Sequence, residues 1–229
     1  MRNQFFSALA FIGFSSVSGV MLASGAITIP TTSALTQNGF YLAADIGAAD
    51  FMTKESHSVN PESHQLGSMG IIGGGYVGYD FDVSNRFRLA MEGFGDATGL
   101  NTNLKHSANI YQMSQNYNLG IRLLPEYVFT PNIVGHIILG YANGNFSIKD
   151  NGVYGYINTS YNLSGFQTGI GFTTTLKNNL FVRLDALYDI YSSSTSRGLG
   201  LEGSGEPFQY YTNTFSQLAG ELSLIYKFC

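Results

Sequence analysis

The chain has 229 residues, among them 28 Gly, 15 Tyr, 17 Phe, no Trp and one Cys, and only 11% are charged, against about 25% in an ordinary soluble domain. One Cys excludes a disulfide framework and a multi-Cys metal site, and 11 scattered Lys/Arg against 15 Asp/Glu, net −4, exclude nucleic acid as an expected partner. Beyond the N-terminus there is no run of about 20 apolar residues, which excludes a helical membrane protein.

Residues 1–26 read as a secretory signal peptide. Arg2 supplies the positive start, Phe5 to Phe14 begin an apolar stretch that continues to Leu22, and Ala23-Ser24-Gly25-Ala26 offer cleavage after Gly25 or Ala26. An uncleaved membrane anchor is the alternative, and the Ser and Gly inside the stretch count against it. The absence of Cys near the cleavage region excludes a lipoprotein. Residues 27–38 form a polar leader. Removing the signal, with Arg2, leaves 10 Lys/Arg and 15 Asp/Glu.

From 39 to 228 the chain shows eight segments of about 9–13 residues that alternate apolar with small or polar, the two-residue period of a strand. The first sets Phe40, Leu42, Ala44 and Ile46 against Tyr41, Ala43, Asp45 and Gly47. The second sets Val77, Tyr79 and Phe81 against Tyr76, Gly78 and Asp80; the third, Phe87, Leu89 and Met91 against Arg88, Ala90 and Glu92. In the fourth, Tyr117, Leu119, Ile121 and Leu123 oppose Asn116, Asn118, Gly120 and Arg122. The fifth opposes Ile133, Ile137, Leu139 and Tyr141 to His136, Gly140 and Ala142, and the sixth Phe166, Ile170 and Phe172 to Gln167, Gly169, Gly171 and Thr173. Leu180, Val182, Leu184 and Tyr188 face away from Arg183, Asp185 and Asp189 in the seventh. The eighth divides Leu218, Leu222, Leu224, Tyr226 and Phe228 from Gln217, Glu221, Ser223 and Lys227.

No charge falls on an apolar face. Asp45, Asp80, Arg88, Glu92, Arg122, Glu126, Arg183, Asp185, Asp189, Glu221 and Lys227 all fall on the other. A soluble barrel shows the same alternation with its apolar face inward, so connectors and aromatics must decide. Connectors at 82–86, 130–132 and 177–179 are short, whereas 50–68, 97–113, 148–160 and 192–213 read as long polar loops, the habit of transmembrane barrels. Tyr79, Phe81, Phe87, Tyr127, Phe129, Phe172, Tyr226 and Phe228 sit beside the short turns or the C-terminus, as an aromatic girdle at a membrane boundary does. The expected fold is all-β: an eight-stranded antiparallel up-and-down transmembrane β-barrel over 39–228. Pro125 cannot donate to a ladder and predicts a bulge or irregularity.

Two stretches carry a resemblance. Gly73-Gly74-Gly75-Tyr76-Val77-Gly78-Tyr79-Asp80-Phe81 resembles the second strand of small outer-membrane barrels, and Leu222-Ser223-Leu224-Ile225-Tyr226-Lys227-Phe228 resembles their C-terminal assembly signal. The chain is similar to opacity-protein-like surface antigens and outer-membrane-protein-A-type eight-stranded barrels over 39–228. Cys229 departs from the pattern by following the Phe that ends such chains. The resemblance implies a bacterial outer-membrane location, contact with outer-membrane lipid, recognition of the last strand by the barrel-assembly machinery, and a monomer. It also implies work in envelope structure, adhesion or host interaction through the loops.

The inward charges are the candidate site. Asp80 and Arg88 are equidistant from Ser84, and Glu126 and His136 from Pro131. Glu92 and Arg122 reach similar heights on neighbouring strands, and Asp45, Arg183, Asp185 and Glu221 add to the belt. Such a belt is a salt-bridge plug or, alternatively, a charged constriction for small ions; buried charges must pair, which favours the plug. His57, His64 and His106-Ser107 fall in long loops without the spacing of a barrel acylhydrolase, so no enzyme is expected. No metal-site spacing or phosphate loop occurs, so neither metal nor cofactor is expected. A narrow low-conductance pore is the alternative function, and a lipid-modifying barrel enzyme a more distant one.

Overall fold

The computed structural model describes residues 35, 37–57, 63–106, 109–152, 155–199 and 208–228. The signal peptide, most of the leader and Cys229 lie outside the described residues, as do the side chains of His57, His64 and His106. Nine strands follow in order: β1 (Gly39–His57), β2 (Ser63–Asp82), β3 (Phe87–His106), β4 (Asn109–Thr130), β5 (Ile133–Gly152), β6 (Gly155–Lys177), β7 (Leu180–Tyr191), β8 (Ser194–Leu199) and β9 (Phe208–Phe228). Each pairs antiparallel with its neighbour, and β1 pairs β9 from Phe40↔Phe228 to His57↔Tyr211, which closes the sheet. β7 and β8 are consecutive lengths of one stave, both paired to β9, so the ring has eight staves. Closure gives β1 to β7 and β9 a partner on both sides, as a backbone crossing hydrocarbon requires, while β8, in the hairpin region, pairs with β9 alone.

Accessibility settles which way the alternating faces point. The apolar face is outward: Ile46 is 61% exposed, Ile121 65% and Leu222 51%. The charged face is inward: Glu92 is 1% exposed, Arg122 2% and Asp189 1%. A soluble barrel would show the reverse. The outward band is a hydrocarbon-facing surface, and along β9 it runs from Phe228 to Leu218, the length needed to cross a bilayer at a usual tilt. The predicted girdle residues lie on this face at the short-turn end, joined ring to ring: Tyr79 with Phe81 at 4.6 Å, Phe87 with Tyr127 at 5.2 Å, Tyr127 with Phe129 at 5.1 Å, Phe129 with Phe172 at 6.3 Å, and Tyr226 with Phe228 at 5.1 Å. Phe40 belongs to the same row, edge-on to Tyr79 at 4.6 Å.

Three expectations need correcting. The long connectors are mostly strand: β1 to β6 have 19 to 23 residues each, about twice what a bilayer needs. The strands continue past the lipid band as four paired hairpins, β1–β2, β3–β4, β5–β6 and β8–β9. There the outward residues turn polar, as with Asn143, Asn145, Ser147 and Lys149 on β5. A strand wet on one face also alternates with Ser and Asn, so its composition reads as loop. Secondly, the β2–β3 register pairs Asp82 with Arg88 and Asp80 with Ala90, so Asp80 and Arg88 are offset by one inward position and not level. Thirdly, the ladder crosses Pro125 without a shift, from Leu123↔Leu139 to Glu126↔His136, and the shifts fall at Gln115/Tyr117 and Val128/Thr130. The irregularity at Pro125 is thus a gap and not a bulge: Leu124 and Pro125 have no partner on β5, while Ala90↔Leu124 and Leu89↔Pro125 keep both paired on β3. At the 177–180 turn Asn178 takes φ 40°, a left-handed conformation that Asn tolerates.

Candidate functional site: the barrel interior

Alternation forces one side chain in two into a ring too narrow for a channel of bulk water, and these side chains stack in tiers. At the short-turn mouth the leader enters the ring. Leu35 is 6% exposed; Arg88 donates to its carbonyl and, at 2.8 Å, to the carbonyl of Gln37, and Lys227 donates to the Leu35 carbonyl at 3.5 Å. Lys227 also bonds Asp80. Arg88 lies 3.3 Å from Asp80, 3.0 Å from Asp82 and 3.9 Å from Glu126.

The second tier centres on Glu92. Its carboxylate accepts from Arg122 Nε at 2.5 Å, from Arg183 Nη1 and Nη2 at 2.5 and 3.2 Å, and from the Tyr41 hydroxyl at 2.6 Å. β3 and β4 place Glu92 directly opposite Arg122, while Arg183 arrives from the far side of the ring. Arg183 Nε reaches Asp185 at 2.7 Å, and Asp185 meets His136 Nε2 at 2.8 Å. That contact needs Gly171: a Cβ there would come 2.5 Å from the His136 nitrogen. His136 is level with Glu126 by register but bonds Asp185. The guanidinium faces stack on rings, Arg183 over Tyr76 at 4.2 Å and Arg122 over Tyr76 and Phe94 at 4.8 and 5.0 Å, a favourable placement for a partly desolvated cation.

A third tier holds Asp45, Asp96, Asp189 and Glu221 with Asn118, Gln167 and Gln217. At the hairpin end, Phe51, Phe146 and Phe215 stack at 4.6–5.9 Å, with Tyr191 edge-on to Phe146 at 4.9 Å. The three Phe rings are at most 1% exposed.

Of the predicted network, Asp80, Arg88 and Glu126 meet at the mouth, and Glu92, Arg122, His136, Arg183 and Asp185 meet in the second tier. Asp45 and Glu221 join neither set. Sequence reasoning missed Tyr41, Asp96, Leu35 and the aromatic stack. Asp96 continues the inward series Arg88, Glu92, Phe94, and Phe51 continues Tyr41, Asp45, Ala49. Both lie beyond the ends of the alternating segments. Among the described residues no three His, Cys, Asp or Glu side chains converge closely enough to chelate a metal directly.

The sequence matches the outer membrane protein beta-barrel domain family over residues 19–220. The chain belongs to that family. It is therefore a bacterial outer-membrane β-barrel, and its inverted faces are those of a membrane-embedded one. Solved structures similar to it include Ail, the attachment invasion locus protein of Yersinia pestis, at 13% identity, covering 81% of this chain and 99% of that one with a TM-score of 0.37. Neisserial surface protein A is similar at 15% identity, with 83% and 97% coverage and a TM-score of 0.43. OprG of Pseudomonas aeruginosa is similar at 11%, with 83% and 96% coverage and 0.49. No curated protein sequence matches the chain.

Proposed function

We propose that the protein is a surface protein whose closed barrel carries four β-hairpins outside the cell, where they bind a host or surface ligand and support adhesion. The observation that carries this reading is the lumen blocked at successive levels. From mouth to hairpin end the inward positions are occupied by a mouth tier, a Glu92-centred ion cluster and an aromatic stack, while the strands outrun the bilayer by about their own transmembrane length. A pore would spend its lumen on water; this barrel spends its length on display. In this reading the short turns face the periplasm, β9 with its terminal Phe228 is the strand presented to the assembly machinery, the barrel is a monomer, and it has no catalytic role. The test is a set of cells displaying the full chain or variants with one hairpin shortened to the lipid band. Loss of adhesion on shortening at least one hairpin, with surface level unchanged, is expected. Full adhesion by all four variants would overturn the proposal.

A further inference from the structure

The inward charges divide unevenly. Arg88, Arg122, Arg183 and Lys227 all lie in the two tiers nearest the short turns, where they face Asp80, Glu92, Glu126 and Asp185. With the half-exposed Asp82 beside Arg88, those tiers set five carboxylates against four cations, each carboxylate within 4 Å of a cation. The next tier holds Asp45, Asp96, Asp189 and Glu221, and among the described residues none of them has a salt bridge. Arg122 reaches this tier electrostatically; its Nε is engaged by Glu92, and its Nη2 has no hydrogen-bond partner among the described residues, so one guanidinium stands against four carboxylates.

Three of the four carboxylates stand on one side of the ring, Glu221 on β9, Asp45 on β1 and Asp96 on β3. Asp45 pairs in register with Gly74, and Asp96 leans over that glycine, where a Cβ would come 2.6 Å from its Oδ1. Glu221 leans over Gly47, two residues along the same inward face from Asp45, and a Cβ there would come 3.0 Å from its Cγ. Asp189 sits between its register partners Gln167 and Gln217, and Asn118 is the partner of Asp96. Among the described residues Asn118 Oδ1, Gln167 Oε1 and Gln217 Oε1 have no hydrogen-bond partner, nor do Asp45 Oδ1 and Asp189 Oδ1. Asn118, Gln167 and Gln217 are 2%, 1% and 3% exposed. Buried acceptors without donors call for a donor or a cation. Asp45 is only half-buried although it points inward, so lumen space lies beside it.

We propose that this belt binds a hydrated divalent cation of the Mg²⁺ class. An all-oxygen set suits a hard cation, and the carboxylates do not close to direct chelation, which suits an ion that keeps several of its waters. The inference is independent of the adhesion reading. The test uses the full chain refolded in detergent micelles with Mn²⁺ as the probe, read by electron paramagnetic resonance. One bound Mn²⁺, displaced by Mg²⁺, is expected. Asp96→Asn and Glu221→Gln, which keep shape and remove charge, should weaken it about 10–100-fold, the effect of losing a group that holds a metal through its ligands. Asp50→Asn, an outward control, should leave it unchanged. Should either belt variant fold poorly, wild-type protein alone still decides: its thermal midpoint should be higher in MgCl₂ than in choline chloride of equal ionic strength. No displaceable Mn²⁺, or binding that both belt variants leave intact, would overturn the proposal. So would a midpoint indifferent to Mg²⁺, the result expected of a belt neutralised by protons alone.

Discussion

Glu92→Ala is the sharpest probe of the interior. The side chain is 1% exposed and accepts from Arg122, Arg183 and Tyr41 within 3.2 Å. Truncation strands two guanidinium groups in a confined lumen. Arg183 keeps Asp185 at 2.7 Å; Arg122 keeps the faces of Tyr76 and Phe94. Removing one partner of a buried ion pair costs about 3–5 kcal/mol, and losing a centre shared by two cations belongs at the upper end. Arg122→Ala should cost less, about 1–3 kcal/mol, because Glu92 retains Arg183 and the Tyr41 hydroxyl. In the double variant Glu92→Ala/Arg122→Ala no stranded Arg122 is left, so the two losses should fall short of additive by about 0.5–3 kcal/mol. Urea titrations of folding into lipid vesicles on the four proteins give each value. A Glu92→Ala loss below about 1 kcal/mol, or strict additivity, would refute the reasoning and imply that water already solvates the cluster.

Other consequences follow from the faces and the tiers. Ile121→Arg places a charge in the middle of the lipid band and should cost about 2–4 kcal/mol, whereas Thr214→Arg, outward on β9 beyond the band, should cost about 0–1 kcal/mol; vesicle-folding titrations of the pair check the depth of the bilayer. Phe215→Ala removes one of the three rings of the aromatic stack, 0% exposed and 4.6 Å from Phe146, and should lower stability by about 3–5 kcal/mol while the bilayer stays electrically silent, since the Glu92 cluster still closes the lumen. Leu35→Ala unseats the leader from the mouth and should cost about 1.5–3 kcal/mol, read as a lower urea midpoint than that of the full chain.

The barrel was legible because its rule is local. Leu222, Leu224 and Tyr226 alternate with Glu221, Ser223 and Lys227 whatever the rest of the chain does, and a two-residue period assigns each to a face. Which face meets solvent is not local; the connectors and the sorted aromatics had to carry that inference, and accessibility now decides it. Neighbouring-strand geometry was partly legible. Counting from the Pro131 turn correctly levels Glu126 with His136, while the same count about Ser84 misplaces Arg88, because a turn's pairing depends on bonds such as Ser84 N–H to the Phe87 carbonyl at 2.9 Å. What crosses the ring was not legible. Nothing near Glu92 in sequence announces Arg183, which meets it through closure of β9 onto β1. Strand length failed for a chemical reason: in the hairpins both faces lose their contrast, with Ser and Asn outward, so Phe51 falls in the expected 50–68 loop and the alternation gives Phe146 and Phe215 no place on either face.

Closure of the lumen is the central claim, and single-channel recording in planar bilayers tests it most directly. Protein refolded from the full chain should insert without steady conductance, since ion cluster and aromatic stack block the same path in series. A stable, ohmic conductance from the wild-type barrel would contradict the account and return the interior charges to the role of a selective constriction.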